Sequence, residues 1–216
     1  MAENLRIKNF IWDFDGMLFD TYPHTVAAFC EQQRRHGFLR DESEVYALFK
    51  INLRVGFRHY GLTEEEIREF YDIENDLSFE PLGVPYPRIP EILRYVTANG
   101  GRNYLYTHRD RVALNYLELY GLTPLFSGFV TGEDGFPFKP SPDALEHIVK
   151  EHGLIKNETV MLGDRDIDIG AGQNAGVYTL LFDEDGRYGD LGETRRAADG
   201  DALAQAVKEL LADGRR

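Results

Sequence analysis

Five short apolar runs, at residues 7–14, 103–107, 128–131, 159–163 and 178–182, each close on or beside a carboxylate, a threonine or a glycine. A strand with one wet face would alternate, so these runs read as strands buried on both sides. Helix-patterned stretches separate them at 89–99, 110–120, from Ser141 onward and 167–175, and another follows at 201–211. Strand, helix, strand in repetition predicts an α/β fold: a doubly wound parallel sheet, with crossover helices on both faces.

After the first run the alternation breaks. Residues 22–77 hold helical patterns in succession, at 26–36, 42–49, 53–60 and 63–77. Thr63-Glu64-Glu65-Glu66 opens the last of these in the order of a capping box. Residues 80–87, rich in proline and glycine, suit a linker. The expected organisation is a core of residues 1–20 and 84–216, interrupted by a small all-helical domain at 21–83.

In doubly wound sheets ligands bind beyond the carboxyl ends of the strands. Asp13, Thr107, Lys139 and Asp164 all fall at or just after such ends. Asp13-Phe14-Asp15-Gly16 sets two carboxylates on one side of an extended chain. Gly16 permits an abrupt turn that leaves room for a ligand. One carboxylate can attack phosphorus while the other protonates the leaving oxygen and then activates water. A plain strand-end turn fits the same residues.

Gly163-Asp164-Arg165-Asp166-Ile167-Asp168 places three acids after another strand. Asp164 and Asp168 share a face if a helix begins there. Carboxylates this close repel unless a hard cation such as Mg²⁺ joins them, although an acidic helix N-terminus has the same composition. Lys139, between Pro137 and Pro140, is either a surface lysine or an ammonium held to neutralise an aspartate and a phosphate. The Thr107 hydroxyl can bond a phosphate oxygen or simply end its strand. His108 and Arg109 follow as anion contacts or, more simply, as solvated loop residues.

The chain carries 37 acidic against 24 basic side chains, a formal net charge of −13. Such a surface excludes nucleic acid and anionic membranes as partners, and an anionic small ligand needs local positive charge to enter. No apolar run approaches the roughly 20 residues that cross a bilayer. Residues 1–6 lead straight into the first strand without a signal pattern. The single cysteine, Cys30, cannot form an internal disulfide and is expected as a packing residue. A soluble cytoplasmic protein, monomeric or weakly dimeric, is expected.

Together these motifs resemble the haloacid dehalogenase-like superfamily. Asp13-Phe14-Asp15-Gly16-Met17-Leu18 is similar to its first motif, Thr107 to its second and Lys139 to its third. Residues 163–168 are similar to its fourth. Residues 170–176 (GAGQNAG) resemble its phosphoglycolate phosphatase-like branch. The resemblance implies an Mg²⁺-dependent phosphatase of a small phosphorylated metabolite, with Asp13 as nucleophile and Asp15 as general acid/base. Thr107, His108 and Lys139 would bind the phosphoryl group. The Asp13 carboxylate, the Asp15 carbonyl and Asp164 would hold the metal, with Asp168 supporting them. Residues 21–83 would be the branch's helical cap. Met17 departs from the family's usual threonine or valine, at a position expected to lie beside the chemistry. Threonine in place of Asp15 would favour a long-lived phosphoenzyme, so aspartate here implies rapid hydrolysis.

Within the expected cap, Lys50, Arg54 and Arg58 are spaced four apart and could present cations on one helix face to a substrate anion, or be a solvated face. Two other functions share these features. A phosphomutase resembling beta-phosphoglucomutase would return the phosphoryl group to the sugar, and a binding or regulatory protein would keep the fold without turnover.

Overall fold

All four residues of β1 (Asn9–Trp12) are buried, which requires neighbours on both edges and cover on both faces. The computed structural model describes residues 6–212. The opening segment before residue 6, read above as leading into the first strand, and residues 213–216 lie outside the described residues. After β1 come β2 (Phe19–Asp20), α1 (Tyr22–Arg35), α2 (Glu42–Ile51), α3 (Leu53–Tyr60), α4 (Glu64–Glu74) and β3 (Val84–Pro85). Then follow α5 (Ile89–Ala98), β4 (Arg102–Tyr106), α6 (Val112–Leu119), β5 (Phe126–Val130), α7 (Asp143–Glu151) and β6 (Thr159–Gly163). The chain continues through α8 (Asp166–Ala175), β7 (Tyr178–Phe182), β8 (Arg195–Ala197) and α9 (Gly200–Ala212). Two compact units result: residues 1–18 with 85–216, and residues 19–84.

In the first unit, six strands among the described residues form one parallel sheet in the order β5-β4-β1-β6-β7-β8. The chain passes from β1 to β4 and β5 on one side, then returns to β6 on the other. The carboxyl ends of β1, β4 and β6 therefore flank the point where the winding reverses, the usual ligand crevice of such sheets. Trp12 pairs in register with Leu105 and Leu162, so Asp13 emerges level with the ends of both neighbours. One face packs Ile11, Tyr104, Tyr106 and Met161 against Leu145 and Ile148 of α7 and Ala171 and Ala175 of α8. Each large aliphatic side chain buried this way contributes about 1.5–3 kcal/mol.

The sheet has one strand beyond the five apolar runs. Among the described residues β8 pairs only with β7, and its residues Arg195, Arg196 and Ala197 lack any apolar run, as an edge strand can.

The second unit packs its helices around Phe29 of α1. Its ring lies 5.1, 6.5 and 6.2 Å from those of Phe49, Phe57 and Phe70, one from each of the other helices. Gly56 of α3 lies so close to Phe49 that a Cβ there would come within 2.3 Å of the ring; only glycine allows that approach. The Thr63 capping box forms, with Glu66 Oε2 accepting from Thr63 N at 2.7 Å and Thr63 Oγ1 accepting from Glu66 N at 3.3 Å. His24 is fully buried, its ring nitrogens 2.9 Å from the Pro81 carbonyl oxygen and 2.7 Å from that of Glu74. Half-buried Cys30 packs against the same cluster, and burial pushes its thiol up to about 11.

The row of cations expected on one helix face is interrupted. Asn52 is extended (φ −174°, ψ 141°) and caps α3, its side chain accepting from Arg54 N at 2.8 Å. Lys50 thus lies in the last turn of α2, with its ammonium 4.1 Å from the centre of the Tyr22 ring. Arg54 and Arg58 share α3 and are exposed. A side chain such as Asn that bonds the backbone ahead of it starts a new helix, which four-residue spacing alone does not register. Among the described residues, no helix is long and apolar enough to cross a membrane.

Candidate active site

The first acid is placed by the sheet itself. Asp13 N donates to the Leu162 carbonyl at 2.9 Å, continuing the ladder one residue past β1, and the residue is 2% exposed. Gly16, at φ +79°, then takes a backbone conformation that other residues rarely adopt. The chain turns away there, leaving Asp15 partly exposed.

Lys139 comes from the segment after β5, and its side chain is wholly buried. Its Nζ lies 2.8 Å from Asp13 Oδ1, 2.8 Å from Asp168 Oδ1 and 3.1 Å from the Tyr106 carbonyl oxygen. Burial alone would lower its pKa, but the Asp13 and Asp168 carboxylates outweigh it and hold the ammonium above the ordinary lysine value. Burial, then the charge of Asp168, raises the pKa of Asp13; Lys139 and Arg165 pull it down without cancelling the rise.

Asp168 approaches because Gly163 has no side chain. A Cβ on Gly163 would lie 2.2 Å from that of Asp168. The helix begins at Asp166, not Asp164, so the two acids do not share a helical face as the spacing predicted. Instead Asp164 precedes the helix, and Asp168 reaches back so that its Oδ2 accepts from Arg165 N at 3.1 Å. Oxygens of Asp13, Asp164 and Asp168 still gather within 4.8 Å of one another, and all three residues are buried. Asp166 is exposed and bonds its own helix start at Ile167 N.

These residues fit a hard divalent cation. Asp13 Oδ2 is buried with no hydrogen-bond partner among the described residues. A buried carboxylate oxygen in that state costs about 1–3 kcal/mol or more, which a cation would recover. Asp13 and Asp164 are the carboxylates best disposed to hold it, since both oxygens of Asp168 are engaged by Lys139 and Arg165 N.

Thr107 follows β4, is 1% exposed, and its hydroxyl accepts from Arg109 N at 3.0 Å. His108 Nε2 accepts from Lys139 N at 3.0 Å, so that ring nitrogen carries no proton. Burial and the Lys139 charge lower the His108 pKa from 6.5 to about 4, and the ring is neutral at ordinary pH. It steadies the lysine's backbone. As pH falls from 6.5 towards 4 the unfolded chain takes up this proton before the folded one does, so stability drops across that window. With allowance for partial exposure, wild type should lose about 2 kcal/mol more than His108→Asn between about pH 7 and about pH 4. Urea melts at each pH measure this; parallel slopes would exclude it.

Arg109 is not a solvated loop residue. Its guanidinium grips Asp15 with Nη2 2.9 Å and Nε 3.0 Å from Oδ1, and its side chain is 8% exposed. Arg165, passed over in the sequence as part of an acidic motif, places Nη2 3.8 Å from Asp13 Oδ2 and Nε 3.7 Å from Asp164 Oδ1. The signal available for both was position: each immediately follows, or lies two beyond, a polar residue at a strand end, so each begins its loop inside the crevice.

The site therefore holds paired carboxylates on a short turn, a buried ammonium, two guanidinium groups and an acid pair suited to a cation. A family profile for haloacid dehalogenase-like hydrolases matches residues 10–182. The chain is 32% identical over 221 residues to a phosphoglycolate phosphatase of Vibrio parahaemolyticus, with 95% of each chain covered. It is 28% identical over 221 residues to the pyrophosphatase PpaX of Halalkalibacterium halodurans, with 96% of each covered. The crystal structure of a HAD-superfamily hydrolase, subfamily IA, variant 1, from Geobacter sulfurreducens shares the fold. Its TM-score is 0.72 at 20% identity, over 93% of this chain and 96% of that one. By its motifs, its sheet and these matches, the chain belongs to the haloacid dehalogenase-like hydrolase family.

Proposed function

We propose that this protein is an Mg²⁺-dependent phosphatase that hydrolyses a small phosphorylated metabolite through an aspartyl-phosphate on Asp13. One observation carries the reading: Lys139 holds Asp13 Oδ1 at 2.8 Å, while Oδ2 is buried without a hydrogen-bond partner among the described residues. One oxygen is fixed and the other is available to a cation or to phosphorus.

In this reading Asp13 attacks phosphorus, the P–O bond to the leaving group breaks, and Asp15 gives that oxygen its proton. Asp15, now ionised, takes a proton from water, which attacks the same phosphorus and frees phosphate and Asp13. Lys139 neutralises charge on the phosphoryl group and on Asp13, and Thr107 offers its hydroxyl to a phosphoryl oxygen. His108 acts by fixing the Lys139 backbone. Asp13, Asp164 and the Asp15 carbonyl would hold the Mg²⁺, whose charge stabilises the transferring phosphoryl oxygens. Residues 19–84 are read as the family's cap, with Lys50, Arg54 and Arg58 as candidates for substrate choice.

The test is phosphate release from 2-phosphoglycolate, pyrophosphate, hexose phosphates and aryl phosphates, with Mg²⁺ and with a chelator. Metal-dependent release from a small ester or anhydride is expected. Isomerised hexose phosphate without free phosphate would replace hydrolysis by a mutase reaction, and inertness across the panel would leave a binding protein. Asp15→Asn refines the reading. It should slow alkyl phosphates by about 10²–10⁴-fold, whereas nitrophenyl phosphate, whose leaving group needs no proton, should give a burst of nitrophenol and then stall. Equal, burst-free slowing of both substrates would remove Asp15 from this role.

A further inference from the structure

Two cations divide the oxygens of Asp13. Lys139 takes Oδ1 and bridges it to Asp168, whose other oxygen accepts from Arg165 N. On the opposite side, the Arg165 guanidinium spans Asp13 Oδ2 at 3.8 Å and Asp164 Oδ1 at 3.7 Å. Both distances are too long for hydrogen bonds but short enough for the charges to attract. The side chains of Asp13 and Asp164 are 2% and 6% exposed, so their mutual repulsion is little screened by solvent.

A divalent ion held by these two carboxylates would compete with the guanidinium for them, above all for Asp13 Oδ2, since Lys139 already holds Oδ1, and Mg²⁺ takes its ligands at about 2.0–2.1 Å. A guanidinium cannot remain between them at that distance. We propose that Arg165 is the resident counter-ion of the Asp13–Asp164 pair, displaced when the divalent cation binds. This rests on the cation reading above. Arg165 is suited to the exchange. Its backbone N is tied to Asp168 Oδ2, while its side chain is 20% exposed, so the head group can swing outward with the backbone fixed. The tethered charge keeps two buried carboxylates from repelling in the metal-free protein, at the cost of weaker metal binding.

The experiment titrates Mn²⁺ into metal-free protein and reads free ion by electron paramagnetic resonance. Arg165→Gln should bind roughly tenfold more tightly than wild type, the effect of removing one nearby positive charge in a partly screened site. Arg165→Lys, which keeps the charge, should stay near wild type. In wild type itself, the Arg165 Nε–H signal in a ¹⁵N spectrum should shift as Mg²⁺ saturates, which decides the matter even if a variant folds poorly. Unchanged Mn²⁺ affinity in Arg165→Gln, or an Arg165 signal unmoved at saturation, overturns the exchange. Absence of saturable binding in every protein overturns the cation reading, and the exchange with it.

Discussion

Asp13→Asn should lower phosphate release by a factor on the order of 10⁴–10⁶, the scale of loss when a covalent nucleophile is removed. The amide keeps the shape of the carboxylate, and its oxygen can still accept from Lys139 Nζ, which lies 2.8 Å from Oδ1 in the native site. The fold should therefore survive while the attacking oxygen and half of the proposed cation pair are lost. Rates on an aryl phosphate at saturating Mg²⁺, with circular dichroism to confirm folding, give the comparison. A folded variant retaining more than about a tenth of the wild-type rate would show that Asp13 does not attack.

Lys139→Met should be the most destabilising single change at the site. Asp13 and Asp168 are almost wholly buried and share this one ammonium, each at 2.8 Å. Leaving buried charge unpaired typically costs about 3–5 kcal/mol. The pH dependence follows from Asp13, whose pKa burial and Asp168 already raise above 3.8 and which Lys139 pulls down. Without the lysine it rises further. A carboxyl whose pKa is higher in the folded chain than in the unfolded one stabilises the fold when protonated and loses that benefit as pH rises. The variant's deficit should thus be largest near neutrality and shrink in mildly acidic solution, as Asp13 takes up its proton. Urea melts with chelator present measure it, and an equal deficit in both solutions would contradict the assignment of Lys139 as their shared counter-charge.

Much of this architecture was legible in the residues because burial leaves a plain record. NFIW at β1 and TVMLG at β6 have no wet face, so a parallel sheet followed, and with it the strand ends where Asp13, Thr107 and Asp164 stand. Lys139 was legible through the prolines beside it. What escaped was set by contacts distant in sequence or by single backbone bonds. β8 exists because β7 offers an edge, which Arg195-Arg196-Ala197 does not advertise. The helix start at Asp166 depends on Asp168 reaching back to Arg165 N, and the split between Lys50 and Arg54 depends on Asn52 capping a new helix. Arg109 looked like a loop residue because its partner, Asp15, is 94 positions away.

The most direct measurement of the central chemistry is chemical trapping. Borohydride added during turnover reduces an acyl phosphate to the alcohol, and mass spectrometry of the peptide carrying residues 9–18 locates the reduced side chain. Reduction at Asp13, dependent on both substrate and Mg²⁺ and strongest in Asp15→Asn, is the expected result. An unmodified peptide under conditions where phosphate is being released, or reduction at Asp15 or Asp164 instead, would contradict attack by Asp13.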